Sequence, residues 1–221
     1  MGKLKRVLIT GASGGIGMAL IKRFQGYELL IPTHKELDLS SVDSINGYIK
    51  DKKFGVDILI NNAAENIICP IRSLSKEGWQ RTIDVNLTAP FLLIHSVADY
   101  MMTNKWGRIV NISSCYSLIS KKGRVAYSAS KAGLNSLTRT ASLEYADSNV
   151  LVNSICLGFV DTEMTRRNNN SSQIDAIRNR IPMKRLATPE EIANFVFFIG
   201  SEQNTYITGQ SLVIDGGFLI G

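Results

Sequence analysis

Short apolar runs alternate with longer stretches of helical periodicity along this chain of 221 residues. Residues 7–10 are an apolar run that turns at once into Gly11-Ala12-Ser13-Gly14-Gly15-Ile16-Gly17. That pattern predicts a strand, a tight loop and a helix through about Phe24. Residues 28–33 predict a second strand, and 41–53 a helix capped by Ser40 or Ser41. Further strands are predicted at 56–60, 108–112, 150–156 and 211–214, with helical stretches over 75–104 and 125–146. The polar stretch 158–185 holds a short helix around 173–180. Thr188-Pro189-Glu190-Glu191 is a helix start: threonine caps, proline sits in the first turn, and Glu191 closes a capping box.

Strands that alternate with helices predict an α/β fold with a parallel sheet covered on both faces. The chain shows no internal repeat, linker or composition break, so one domain over 1–221 is expected. One segment departs from a regular doubly wound plan. Only His34, Lys35, Glu36 and Leu37 lie between Thr33 and Asp38, whereas a parallel crossover needs roughly 10–12 residues. The third strand and its helix should be missing, or reduced to a stub near 37–39. The second strand then lies at a sheet edge, where Pro32 is tolerated.

Composition narrows the function classes. Hydrophobic residues make up 44% and charged residues 20%, as in an ordinary globular protein. The longest apolar runs, 89–94 and 195–199, fall short of the roughly 20 residues of a membrane span, and the N-terminal run is too short for a signal peptide. A cytoplasmic protein without a membrane partner is expected. Cys69, Cys115 and Cys156 are too scattered for a disulfide framework or a zinc site, and His34 and His95 are too isolated for a metal. The net charge is +6, but there is no long basic run and no nucleic-acid module. A phosphorylated cofactor or an anionic substrate accounts for the excess without a nucleic-acid partner.

Three patterns carry chemistry. The loop from Gly11 to Gly17, between a strand and a helix, lets a pyrophosphate approach backbone N–H groups at a helix N-terminus. Tyr127 and Lys131 stand at i and i+4 on one helix face. An ammonium beside a phenol favours the phenolate, so the pair can exchange a proton with a substrate oxygen near neutral pH. Ser114 follows a strand end, where ligands of α/β sheets sit, and its hydroxyl can donate to a developing alkoxide.

In this order, together with Asn61-Asn62-Ala63-Ala64, Val85-Asn86-Leu87-Thr88 and the ending Ile207-Thr208-Gly209-Gln210…Asp215-Gly216-Gly217, these motifs resemble the short-chain dehydrogenase/reductase family over essentially the whole chain. From residue 181 onward the pattern is most similar to 3-oxoacyl-carrier-protein reductases. The resemblance implies a Rossmann-type sheet and hydride transfer between a nicotinamide cofactor and a carbonyl or secondary alcohol. Tyr127 would be the general acid/base. Lys131 would lower its pKa and bind the nicotinamide ribose. Ser114, rather than Ser113, would polarise the carbonyl, and Asn86 would support a water linked to the lysine. Implied cofactor contacts are Gly11, Ser13, Gly15, Ile16, Gly17, Thr33, His34, Lys35, Asp38, Leu39, Asn62, Ala63, Ala64, Gly158, Val160 and Thr162, besides Tyr127 and Lys131.

Three features depart from the family pattern. Ala64 stands where glycine is usual. Leu157 replaces a proline before Gly158, which predicts a looser loop over the nicotinamide. The shortened 33–38 segment removes the region that normally frames the adenosine ribose. No carboxylate ends the second strand and Lys35 is available for a 2′-phosphate, so NADP(H) is favoured over NAD(H), although Gly14 lacks the arginine many NADP-using relatives carry. The substrate reads as a 3-oxoacyl carrier-protein thioester or a sugar- or polyol-type ketone. Arg166, Arg167, Arg178, Arg180, Lys184 and Arg185, with Lys121, Lys122 and Arg124, favour an anionic substrate or an acidic carrier protein as partner. A homo-oligomer, a tetramer or a dimer, is implied. The other reading is a non-catalytic dinucleotide-binding or scaffold protein. It would be marked by loss of Ser114, Tyr127 or Lys131, and all three are present.

Overall fold

The computed structural model of the protein describes residues 4–51 and 55–221. Its strands are β1 (Arg6–Ile9), β2 (Glu28–Leu30), β3 (Ile58–Asn61), β4 (Gly107–Ser114), β5 (Val150–Leu157) and β6 (Ser211–Ile214). They form one parallel sheet in the order β2-β1-β3-β4-β5-β6. The helices are α1 (Gly15–Arg23), α2 (Val42–Asp51), α3 (Lys76–Ile83), α4 (Ala89–Thr103), α5 (Val125–Tyr145), α6 (Glu163–Asn168), α7 (Ser171–Arg180) and α8 (Pro189–Gly200). No described helix is long and apolar enough to cross a membrane.

The near-continuous apolar strands are explained by burial of both faces. Successive side chains point to opposite sides. Val7, Ile9, Ile58, Ile60, Val110, Ile112, Ile155 and Leu157 therefore pack with α1 and α8 through Leu20, Phe24, Ile192 and Val196. Leu8, Leu59, Ile109 and Val152 pack on the other side with Ile45, Leu93, Val97 and Met101 of α2 and α4. α8 starts as its sequence predicts: Thr188 and Glu191 close a reciprocal capping box and Pro189 occupies the first turn. For α2, Ser41 is the cap, its Oγ accepting from the Ser44 amide at 3.2 Å. Lys52 and Lys53, the end of the expected helix, lie outside the described residues.

The missing third strand is the main topological outcome. β2 pairs only with β1 and forms the sheet edge. It ends at Leu30, not Thr33, and the chain then folds into a turn in which Glu36 and Leu37 amides reach the Thr33 carbonyl at 3.1 and 3.0 Å. Neither a crossover helix nor a strand stub lies between β2 and α2. The predicted helical stretch 75–104 is also divided. A π-helical turn over Asp84–Thr88 separates α3 from α4, and Pro90, which has no N–H to donate, stands in the first turn of α4.

Candidate active site

The glycine loop leaves β1 with Gly11 at φ +65, a conformation that favours glycine. A Cβ there would also lie 2.8 Å from the Ala63 Cα. The loop is fastened to the end of β3. Thr10 Oγ1 accepts the amides of Asn62 and Ala63 at 3.0 and 3.1 Å. Asn62 Nδ2 donates to the Thr10 and Gly11 carbonyls, each at 3.0 Å. Asn62 therefore holds the loop's backbone with its side chain, a role that spacing alone did not reveal. The first turn of α1 carries no acid and its N-cap is Gly14, without a side-chain cap, so its N-terminal amides and positive dipole end are available to an anion.

Two cavities share this loop. One, of about 430 Å³, runs past Gly15, Ile16 and Gly17 to Gly158, Val160, Thr162, Ser114, Tyr127 and Lys131. The other, of about 520 Å³, extends along Thr33, His34, Asp38, Leu39 and Arg81. Gly11, Ser13, Ala63 and Ala64 line both. The pair has the layout a dinucleotide needs: two compartments joined across unprotected helix amides. Lys35 is exposed and lies outside the lining of the second cavity. A carboxylate does stand in the turn that follows β2: Glu36 Oε2 accepts from the Thr33 amide and hydroxyl at 2.8 and 2.9 Å. The Ser40 hydroxyl and amide hold the Asp38 carboxyl below its usual range, donating to Oδ1 at 2.7 and 2.9 Å.

At the other end, β4 delivers Ser114 and α5 delivers Tyr127 and Lys131 to the same cavity wall. Ser114 Oγ accepts the Tyr116 amide at 3.2 Å and lies close enough to the Tyr127 phenol to favour its phenolate. Burial pushes the phenol pKa up, and the Ser114 hydroxyl and the Arg124 charge oppose it. Lys131 is not among the groups that lower it. Its side chain is only 2% exposed, its Nζ donates to the Ile112 carbonyl at 2.7 Å and lies 5.7 Å from the Tyr127 ring centre. Burial brings its own pKa down to about 8. Lysine and tyrosine thus share a desolvated pocket, with each charged form disfavoured.

Asn86 lies behind this wall. It is fully buried within the π turn. Its Oδ1 accepts the Glu65 amide at 2.8 Å, and its Nδ2 donates to the Glu65 carbonyl at 2.8 Å and to Ser130 Oγ at 3.1 Å. It is tied to the residue next to Lys131 rather than to the cavity. A second buried chain, Asn61 to Asn111 at 2.8 Å and Asn111 to Thr138 at 2.9 Å, pins β3, β4 and α5 together below the site. Leu157 is paired in the ladder with both Ser114 and Ile214, so β5 continues through the position usually taken by proline.

Comparison with known proteins agrees with this geometry. A family model described as "Enoyl-(Acyl carrier protein) reductase" matches residues 34–219. The 3-oxoacyl-[acyl-carrier-protein] reductase FabG of Buchnera aphidicola is 36% identical, with 96% of each chain covered. FabG of Aquifex aeolicus is also 36% identical, over 96% of this chain and 86% of that one. Among solved structures, 4-hydroxyisoleucine dehydrogenase complexed with NADH superimposes with a TM-score of 0.92 at 33% identity, over 98% of this chain and 99% of that one. A protein of Beutenbergia cavernae named as an NAD(P) dependent gluconate 5-dehydrogenase, with bound NADP, gives 0.93 at 29% identity, over 98% and 97%. The chain belongs to the short-chain dehydrogenase/reductase family and is an NAD(P)-dependent oxidoreductase.

Proposed function

We propose that the protein interconverts a carbonyl and a secondary alcohol, with Ser114, Tyr127 and Lys131 as its catalytic groups and Asn86 as a positioning residue. The observation that carries this reading is the convergence of the three side chains on one cavity that opens onto the glycine loop. When bound, the nicotinamide dinucleotide donates or accepts the hydride. In the reducing direction, Tyr127 gives its phenolic proton to the substrate oxygen as the alcohol forms. A phenol kept neutral by burial is the correct acid for that step. Ser114 turns its hydroxyl toward the same oxygen and stabilises the developing charge. Lys131, with a pKa near 8, holds a proton that can be exchanged near neutral pH. Asn86 fixes the helix turn carrying Ser130 and Lys131.

The cofactor of this reading is NADP(H). Arg81 lines the adenosine-side cavity, Lys35 stands beside Thr33, and the Glu36 carboxylate is engaged by Thr33. The substrate is a 3-oxoacyl carrier-protein thioester, as the names of the curated relatives suggest, or a sugar-type ketone, as the gluconate dehydrogenase neighbour suggests. One dinucleotide-binding domain spans 1–221. The protein assembles as a homo-oligomer through α4 and α5, whose Phe91 and Leu143 are 49% and 84% exposed. Light scattering at micromolar concentration should give a dimer or tetramer mass. The activity is tested by following nicotinamide absorbance with a panel of oxo compounds. Turnover by wild type and its loss in Tyr127→Phe are expected. Full turnover by that variant would refute the assignment.

A further inference from the structure

Arg124 is the residue in the catalytic cavity that this mechanism leaves unused. It forms the N-cap position of α5, lines the same cavity as Tyr127, and is only 6% exposed. No carboxylate among the described residues pairs with it, and its buried Nε has no hydrogen-bond partner. Its guanidinium faces the Tyr116 ring, whose centre lies 5.6 Å from Cζ. The ring supplies no charge and no oxygen acceptor, so the guanidinium's donors are left to whatever occupies the cavity.

The surroundings add positive charge. Burial, followed by the charges of Arg124 and Arg180, pushes the Lys121 ammonium pKa down, so three cations act on one another here. Asp215 is the nearby acid felt by Cys115, but its two oxygens accept the amides of Gly217 and Leu219, each at 2.8 Å. The charge of Arg124 also acts on the Tyr127 phenol, so a bound anion would lie close to the reacting carbon.

We propose that Arg124 is a specificity-determining residue that binds a carboxylate of the substrate, so that the preferred substrate is a small free oxo or hydroxy acid. The inference rests on the hydride-transfer reading above but takes a free acid, in place of a carrier-protein thioester, as the substrate. A planar guanidinium matches a carboxylate with paired hydrogen bonds. A carrier-protein thioester places an uncharged sulfur where the acid places its anion, and leaves Arg124 buried without a counter-charge.

The test uses the cofactor-loaded enzyme with pyruvate, acetoacetate and levulinate, each beside its methyl ester, and dihydroxyacetone phosphate. For at least one acid, wild type should show kcat/KM about 100-fold above the ester, the size expected of a charge-assisted hydrogen bond. In Arg124→Gln that ratio should fall below about 5, and Arg124→Lys should restore part of it. Calorimetric titration of the same acids should show binding to wild type that weakens at least tenfold in Arg124→Gln, while dinucleotide affinity, read by fluorescence, reports that the variant is folded. Esters used as well as acids, a ratio unchanged in Arg124→Gln, no acid bound, or preference for dihydroxyacetone phosphate would overturn the inference and leave the hydride-transfer reading standing. Acids that bind through Arg124 with no turnover of any carbonyl would sustain the inference and reject that reading.

Discussion

The two ends of the nucleotide cleft are built differently. At the catalytic end, β4 and β5 are each eight residues long and buried throughout, and α5 runs for 21 residues. Ser114 and Lys131 are fixed there by hydrogen bonds to amide and carbonyl groups. At the adenosine end, β2 has three residues, lies at the sheet edge, and leads into a turn in which Thr33, His34, Lys35 and Glu36 are all exposed. The difference teaches where precision is needed. Proton and hydride transfer depend on geometry held within a fraction of an ångström, and the proposed catalytic groups stand on long, doubly covered elements. Holding an adenosine requires only affinity, which a solvated turn is able to supply.

The largest break in this comparison should come from Tyr127→Phe. Turnover should fall by about 10³ or more, since the proton donor is lost, while dinucleotide affinity measured by fluorescence stays within about twofold. Ser114→Ala should reduce kcat by on the order of 10²–10³, as for other oxyanion donors, with little change in stability by urea unfolding.

The buried lysine sharpens the contrast through pH. Its folded-state pKa lies near 8, lowered by burial from 10.5. Between those values the unfolded chain binds more protons than the folded one, so stability rises with pH across that window. Below about pH 8 both states are protonated and the full cost of the buried ammonium is present. Lys131→Met should therefore gain stability relative to wild type at pH 7, on the order of 2–3 kcal/mol at most, and that gain should shrink toward pH 10.5. Urea unfolding at pH 7 and pH 10 checks it; a gain that grows with pH would contradict the burial argument.

The smallest effects should lie at the adenosine end. Wild type should use NADPH with higher kcat/KM than NADH, and Lys35→Ala should lower the ratio by up to about fivefold without changing kcat. Lys35 is exposed and sits outside the cavity lining, so its ammonium acts across solvent, where a charge pair is worth about 0–1 kcal/mol. A preference for NADH that is indifferent to the substitution would reject both the NADP(H) assignment and the role of Lys35.

The spacing of apolar runs and caps determined much of the fold. Counting four residues between Thr33 and Asp38 excluded a crossover, and Thr188 with Glu191 announced α8, because both are local constraints of chain length and backbone hydrogen bonding. The glycine loop and the i, i+4 pair Tyr127 and Lys131 were legible for the same reason. The tertiary structure decided what lies between distant segments. Asn62 reaches back to Thr10 and Gly11, Lys131 finds the Ile112 carbonyl, and Asn86 is taken up by Glu65 and Ser130. The helix α6 was missed because its only start signal, Thr162 followed by Glu163, sits in a stretch without apolar periodicity. In the sequence Arg124 was legible only as one of the cations that point to an anionic substrate or an acidic carrier. Its burial without a counter-charge exists only once Tyr116, Tyr127 and the cavity wall are brought together, since desolvation is a property of the surroundings and not of the residue.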